Sequence, residues 1–287
     1  MKWYSYHLFI HDHQYHDTFV KHTLRDWVQD QQSYLHQWFF IRYWQGGPHI
    51  RVRFKTYDPP QTIASLTSHV QSFLQDYDPQ IQVTKAQYYQ AHSFDGVKPQ
   101  EEALYWMEDR SFVEIDYEPE VERYGGESAL PYSESLFHTS SSLAVEVMQH
   151  MSKRNMLNTL ILAADFFHIT KTLLSPSELQ QLTQHYHTFW LRFRKEEAEK
   201  HEIAQWKRVY KQRLSHGLPE RDAIYVPMLQ ALQDTVSKIR KETSSQTTLY
   251  ILLSQLHMYN NRIGLPPQLE YMVPLVMTHQ EGRLNNV

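Results

Sequence analysis

The sequence contains no cysteine. Disulfide scaffolds, zinc–thiolate sites and cysteine nucleophiles are therefore excluded. Long apolar runs are also missing. Stretches such as Leu160 to Ala164 fall far short of the ~20 residues of a membrane span. The opening MKWYSYHLFIHDHQ has one Lys but no apolar core of the kind a signal peptide carries. A cytoplasmic globular protein, with no membrane partner, is the expectation. A surplus of basic charge is lacking too: 28 Lys and Arg face 32 Asp and Glu, giving a net charge of −4. That balance excludes a surface coated in basic groups for nucleic acid, but not a local basic patch. No clean linker, internal repeat or low-complexity segment interrupts the chain.

Aromatics are plentiful. The 287 residues include 7 Trp, 19 Tyr and 13 Phe, far too many for a solvated coil. Length and composition allow one large domain or two small ones around a real core. There are 18 histidines, whose charge varies near neutral pH. His11, His13 and His16 sit among polar residues and read as surface groups. His185 and His187 would share a metal only on a strand, and their context is helical, so no metal site is expected.

An α+β fold is predicted. Trp3 to Ile10 alternates as a strand, and residues 14–32 repeat apolar side chains at helical spacing through Phe19, Val20, Leu24, Trp27 and Val28. Gln37 to Tyr43 and His49 to Phe54 read as strands joined by Gly46-Gly47-Pro48. Thr62 to Tyr77 reads as a helix and Ile81 to Tyr89 as a fourth strand. The order βαββαβ is that of a ferredoxin-like unit. Residues 92–126 look irregular, broken by Pro99, Pro119 and Gly125-Gly126. From about 130 onward the pattern is helical, with helices expected at 134–151, 155–174, 176–195, 196–214, 221–242, 244–262 and 267–278. Gly217 and Gly264 mark helix ends. This gives a sheet part over 1–126 and a helical part over 127–287, closely packed as one fold.

Four stretches carry groups suited to chemistry. In FFIRYWQGGPHIRVRF (39–54), Arg42 lies on one strand, and His49, Arg51 and Arg53 share a face of the next. Arginines two apart on a strand point the same way, about 7 Å apart, and suit a carboxylate or phosphate. A solvated face of surface ion pairs has the same pattern. In YEPEVERYGG (117–126), Glu120 and Arg123 supply a base and a cation, or a local ion pair around a turn. In LLSQLHMYNNRIG (252–264), His257, Asn261 and Gly264 share one helix face, with Arg262 one position round. His257 is placed there as an acid or base, or as a hydrogen-bonded core histidine. The stretch 192–213 holds eight Lys or Arg against four Glu, with Trp206 and Tyr210 interleaved. It reads as a solvated helix face, or as an RNA-touching helix whose Lys207, Arg208 and Lys211 meet phosphates.

WFFIRYWQGGPHIRVRF, YEPEVERYGG and LHMYNNRIG, in that order, resemble the elimination-type C-terminal part of class I lantibiotic dehydratases. The chain is similar to the stand-alone small version, also called the thiopeptide-type bacteriocin biosynthesis domain. The resemblance covers nearly the whole chain, and 180–240 is its least diagnostic part. It implies work on a ribosomally made precursor peptide that carries a leader. It assigns chemistry to Arg51, Arg53, Glu120, Arg123 and His257, gathered in one pocket. Arg42, His49, Asn261 and Arg262 are expected to bind substrate. One implied activity is that of a peptide aminoacyl-tRNA ligase, which uses ATP with Mg2+ and an aminoacyl-tRNA to extend a peptide C-terminus. A second is elimination of glutamate from glutamylated Ser or Thr, which needs no cofactor and implies a large glutamylation subunit as partner. A third is the [4+2] cyclisation of thiopeptides, whose enzymes tend not to keep the elimination residues. A non-catalytic subunit binding a leader peptide along a sheet edge is a further reading, and a homodimer is compatible with any of them.

Overall fold

The computed structural model describes residues 1–91, 104–151, 155–194 and 200–277. Two compact units emerge. One comprises Met1–Glu120 with Ser140–His150, and the other Val121–Thr139 with Met151–Val287.

The first unit is built on a four-stranded antiparallel sheet in the order β2-β3-β1-β4. Its strands are β1 (Tyr4–Phe9), β2 (Leu35–Tyr43), β3 (His49–Thr56) and β4 (Phe112–Glu114). Between β1 and β2 runs continuous helix: α1 (Gln14–Thr18), a π-helical turn (Phe19–Leu24) and α2 (Arg25–Asp30). The hairpin joining β2 to β3 turns through Gly46 and Gly47, both at positive φ. A β-carbon at Gly46 would lie 2.2 Å from the Tyr105 ring, so only glycine fits there. After β3, Asp58 accepts a hydrogen bond from the Gln61 amide and Pro59 and Pro60 open α3 (Pro59–Asp76).

Period-two alternation gives the sheet two different faces. On one, Tyr6, Leu8, Phe40, Ile50, Val52 and Phe54 are buried, and Trp27 packs edge-on against Phe54 at 5.3 Å. The other carries Ser5, His7 and Phe9 of β1 opposite Arg53, Arg51 and His49 of β3. Polar groups on this second face raise the question of what they are for.

The strand expected over Ile81 to Tyr89 is absent. Lys85–Ala91 forms helix α4, and the fourth strand comes from Phe112–Glu114 instead. The reason is a capping box: the Thr84 hydroxyl accepts from the Gln87 amide, while the Gln87 side chain accepts from the Thr84 amide. Alternation of Ile81, Val83 and Tyr89 masked that signal, and Ile81 is 49% exposed. Residues 92–103 of the irregular segment lie outside the described residues. His11 and His16 are buried, contrary to their surface reading, because aromatic neighbours and backbone carbonyls replace water. His11 packs on Trp106, and His16 Nε2 reaches the Ile10 carbonyl at 2.8 Å. The edge of β2 is not a free docking strand along its length: the Ser141 hydroxyl accepts from the Phe40 amide.

The second unit is helical. It takes in the first half of α5 (Leu130–Gln149), then α6 (Met156–Lys171), α7 (Pro176–Leu191), α8 (Lys200–Ser215), α9 (Val226–Glu242), α10 (Ser245–Ile263), α11 (Pro267–Glu270) and α12 (Met272–Met277). Residues 195–199 and 278, within helices expected from the sequence, lie outside the described residues. Ser175 and Glu178 form a capping box before α7, and Gly264 closes α10 at φ 76°. Apolar α6 and α10 form the centre, where Phe166 stacks on Tyr259 at 4.2 Å. Among the described residues, no helix is long and apolar enough to cross a membrane.

Candidate functional site

In the first unit, β3 presents Arg51 and Arg53 on the polar face of the sheet. Both guanidiniums lie against aromatic rings. Arg51 stands 3.5 Å from the Tyr43 ring centre and also hydrogen-bonds to Tyr43 and Tyr105. Arg53 lies 4.5 Å from Tyr117 and 5.5 Å from Phe39. Arg53 is only 8% exposed, and its Nε is buried without a hydrogen-bond partner. Among the described residues no carboxylate hydrogen-bonds to either guanidinium. Glu120, at the exposed end of this unit, acts on both through its charge. Burial lowers the pKa of both arginines, that of Arg53 to about 10, with Arg51 adding repulsion. Two desolvated cations lacking a bonded anion are costly. Forked donors of this kind suit a carboxylate or phosphate.

Below the arginines lies a pair of neutral histidines. His7 stacks on His49 at 5.0 Å, and both are buried. Burial, aided by the arginines, holds His7 at a pKa of about 2 and His49 at about 3. Neither adds positive charge to the site. His49 is fully buried, so it touches Arg51 rather than a ligand. Arg42 is not part of this face. It pairs in register with Ile50, points to the helical side and ion-pairs with Asp17 at 2.7 Å. One position along a strand reverses the side chain, which is why its nearness in sequence misled.

In the second unit, His257 projects from α10 with 17% of its side chain exposed. Its Nδ1 lies 2.7 Å from Oε1 of Glu270, which is fully buried at the end of α11. The Tyr186 hydroxyl donates to the other oxygen of Glu270, and Asn260 Nδ2 lies 3.1 Å from that same oxygen. Trp190 stacks on the imidazole at 4.4 Å. A carboxylate fixed on Nδ1 selects one tautomer and leaves Nε2 as the proton-transfer position. Arg123 donates through Nε to the Ser254 hydroxyl at 3.0 Å, one helical turn before His257. Asn261 is partly exposed beside this face, and it is Asn260 that holds Glu270. Arg262 is fully buried, 5.6 Å from the Phe137 ring, and packs the core instead of facing a substrate.

Helix α8 presents Arg208 and Lys211 as exposed and Lys207 as partly exposed. Tyr210 points inward and is buried beside Asp165, so it is unavailable for base stacking. Arg213 is also committed, to Asp165 at 3.1 Å and Asp222 at 3.2 Å. No cluster of three His, Asp or Glu suited to a metal occurs among the described residues.

The structure adds residues that no sequence motif marks as functional: Tyr43, Tyr105 and Tyr117 around the arginines, His7 beneath them, and Glu270. A signal existed for Glu270: it is a lone acid in an apolar run, LPPQLEYMVPL. Such an acid is expected to be paired when buried.

No curated protein matches the sequence. Solved structures share the fold, among them the following three. MibB from Microbispora sp. 107891, a tRNA-dependent lantibiotic dehydratase, is 18% identical at a TM-score of 0.63, over 96% of this chain and 27% of its own. This chain thus spans about a quarter of that enzyme's length. TbtD, the pyridine synthase of thiomuracin biosynthesis, is 12% identical at a TM-score of 0.68, over 96% of both chains. TsrL is 14% identical at a TM-score of 0.63, over 96% of this chain and 94% of its own. The family model for the C-terminal part of the lantibiotic biosynthesis dehydratases matches residues 3–279, and the chain belongs to that family.

Proposed function

We propose that the protein tailors a ribosomally made precursor peptide as a peptide aminoacyl-tRNA ligase. The observation that carries this reading is the pair of guanidiniums, Arg53 buried and Arg51 half-buried, with no bonded carboxylate among the described residues. Ligation begins when the peptide C-terminal carboxylate attacks the γ-phosphorus of ATP and ADP leaves. The amine of the aminoacyl-tRNA then attacks the acyl phosphate carbon, phosphate departs and the amine loses a proton. Both steps concentrate anionic oxygens, which forked arginine donors stabilise. Mg2+ would arrive on the phosphates of ATP, where it needs few protein ligands. The exposed Arg208 and Lys211 with Lys207 support a tRNA contact on α8.

A second reading is elimination of glutamate from glutamylated Ser or Thr. The His257–Glu270 pair favours it, as an oriented imidazole is suited to moving the Cα proton. In that case the arginines hold the departing glutamate carboxylates, and no cofactor is needed.

The test is incubation of the chain with its precursor peptide, ATP and charged tRNA, read by mass. One added amino-acid residue supports the ligase. Loss of glutamate from a glutamylated peptide without ATP supports the lyase. No mass change in either reaction refutes both.

A further inference from the structure

We infer that His49 is a positioning residue that aims the Arg51 guanidinium at the anionic group, acting through its Nε2 as a hydrogen-bond acceptor. The inference rests on the reading of Arg51 and Arg53 as an anion site, and adds how that site is kept in shape.

Two hydrogen bonds carry the argument. His49 Nδ1 lies 2.8 Å from the Gly47 carbonyl, which can only accept, so Nδ1 carries the proton. Arg51 Nε lies 3.0 Å from His49 Nε2, and a guanidinium can only donate, so Nε2 is bare. The imidazole is thus a neutral relay from the Gly46-Gly47 turn to the guanidinium. It has no freedom to swivel: Phe9 packs on it at 4.4 Å, His7 at 5.0 Å and Tyr43 at 5.7 Å. With Nε engaged by His49 and one face covered by Tyr43, the terminal hydrogens of Arg51 not taken by Tyr43 and Tyr105 remain for a ligand. Full burial of His49 rules out direct ligand contact.

Two substitutions separate this role from simple packing. In His49→Gln, the side-chain oxygen reaches the former Nε2 position and can accept from Arg51. In His49→Asn, the shorter amide reaches the Gly47 carbonyl but leaves Arg51 without an acceptor. Binding of pyrophosphate and of glutarate to the full chain is followed by calorimetry, with thermal unfolding as the control for folding. The expected result is affinity within about threefold of wild type for H49Q and a loss of about tenfold or more for H49N. Equal losses, or no loss in either, overturn the proposal. Arg51→Ala distinguishes the parent reading. If Arg51→Ala abolishes binding while H49N does not weaken it, only the positioning role fails. If wild type binds neither anion, the anion site fails and this role with it. The unmutated chain supplies a further measurement, the long-range proton–nitrogen correlation of the His49 ring at pH 7. An Nδ1–H tautomer is expected, and an Nε2–H tautomer or an imidazolium would refute the relay.

Discussion

Replacing Arg53 by Met should make the protein more stable and inactive. The change removes a buried cation and keeps a side chain of similar length. The fall of the Arg53 pKa from 12.5 to about 10 corresponds to about 3 kcal/mol against the charged form in the folded state. At neutral pH the group is protonated both folded and unfolded, so this penalty is carried in full. It is relieved only as pH rises through about 10 towards 12.5, where the folded protein releases the proton first. Against it stand contacts with Tyr117 and Phe39, each worth about 0.5–1 kcal/mol. The net gain for R53M is about 1–2 kcal/mol, or a rise in Tm of about 3–6 °C. Thermal unfolding at pH 7.5, with and without pyrophosphate, measures it. Ligand at a hundred times its Kd should stabilise wild type by about 2.7 kcal/mol and leave R53M unmoved. A Tm below wild type would mean that the guanidinium holds the fold together. Undiminished stabilisation by ligand would mean that Arg53 does not bind it.

Three further outcomes are expected. Asp165 is buried, and burial lifts its pKa from 3.8 to about 6 although Arg213, Tyr225 and Tyr210 oppose the rise. The folded state therefore binds the extra proton between those values, and this residue's contribution to stability falls by about 3 kcal/mol as pH rises through that window. Urea unfolding of wild type and Asp165→Asn from pH 4 to 7 should show that fall in the difference between them, and parallel curves would contradict it. In the elimination reading, Glu270→Gln should slow loss of glutamate about a hundredfold or more by releasing His257, measured by mass on a glutamylated peptide. Gly46→Ala should weaken anion binding and cost about 1–2 kcal/mol in unfolding experiments, since φ is 87° and the new methyl drives Tyr105 away from Arg51.

Much of the first unit was legible because strands and helices write their periods into the chain. Alternation around His49, Arg51 and Arg53 places the three on one face of a strand. The sequence could not separate a clamp for anions from a solvated face, because both use charged residues in alternation. Burial speaks against the solvated face: Arg53 is 8% exposed. The helical half was legible from capping residues and apolar spacing. The misread strand at 81–89 shows the limit, as a short aromatic-rich stretch fits both periods and the Thr84–Gln87 capping box decided for helix.

Composition by itself determined what chemistry is possible. Without cysteine, thiol chemistry is excluded, and the three motifs supply arginine, carboxylate and histidine. Only the tertiary structure decided which of those groups are engaged and with what. Arg42 left the arginine face by pointing to the other side of the sheet, and Arg262 left the His257 group by complete burial. The three tyrosines joined the arginines, and Glu270 joined His257. The reason is physical: a carboxylate 13 residues beyond a histidine, or a ring 54 residues beyond an arginine, leaves no periodic trace. Such partners are brought together by the packing of whole elements, which local spacing does not encode.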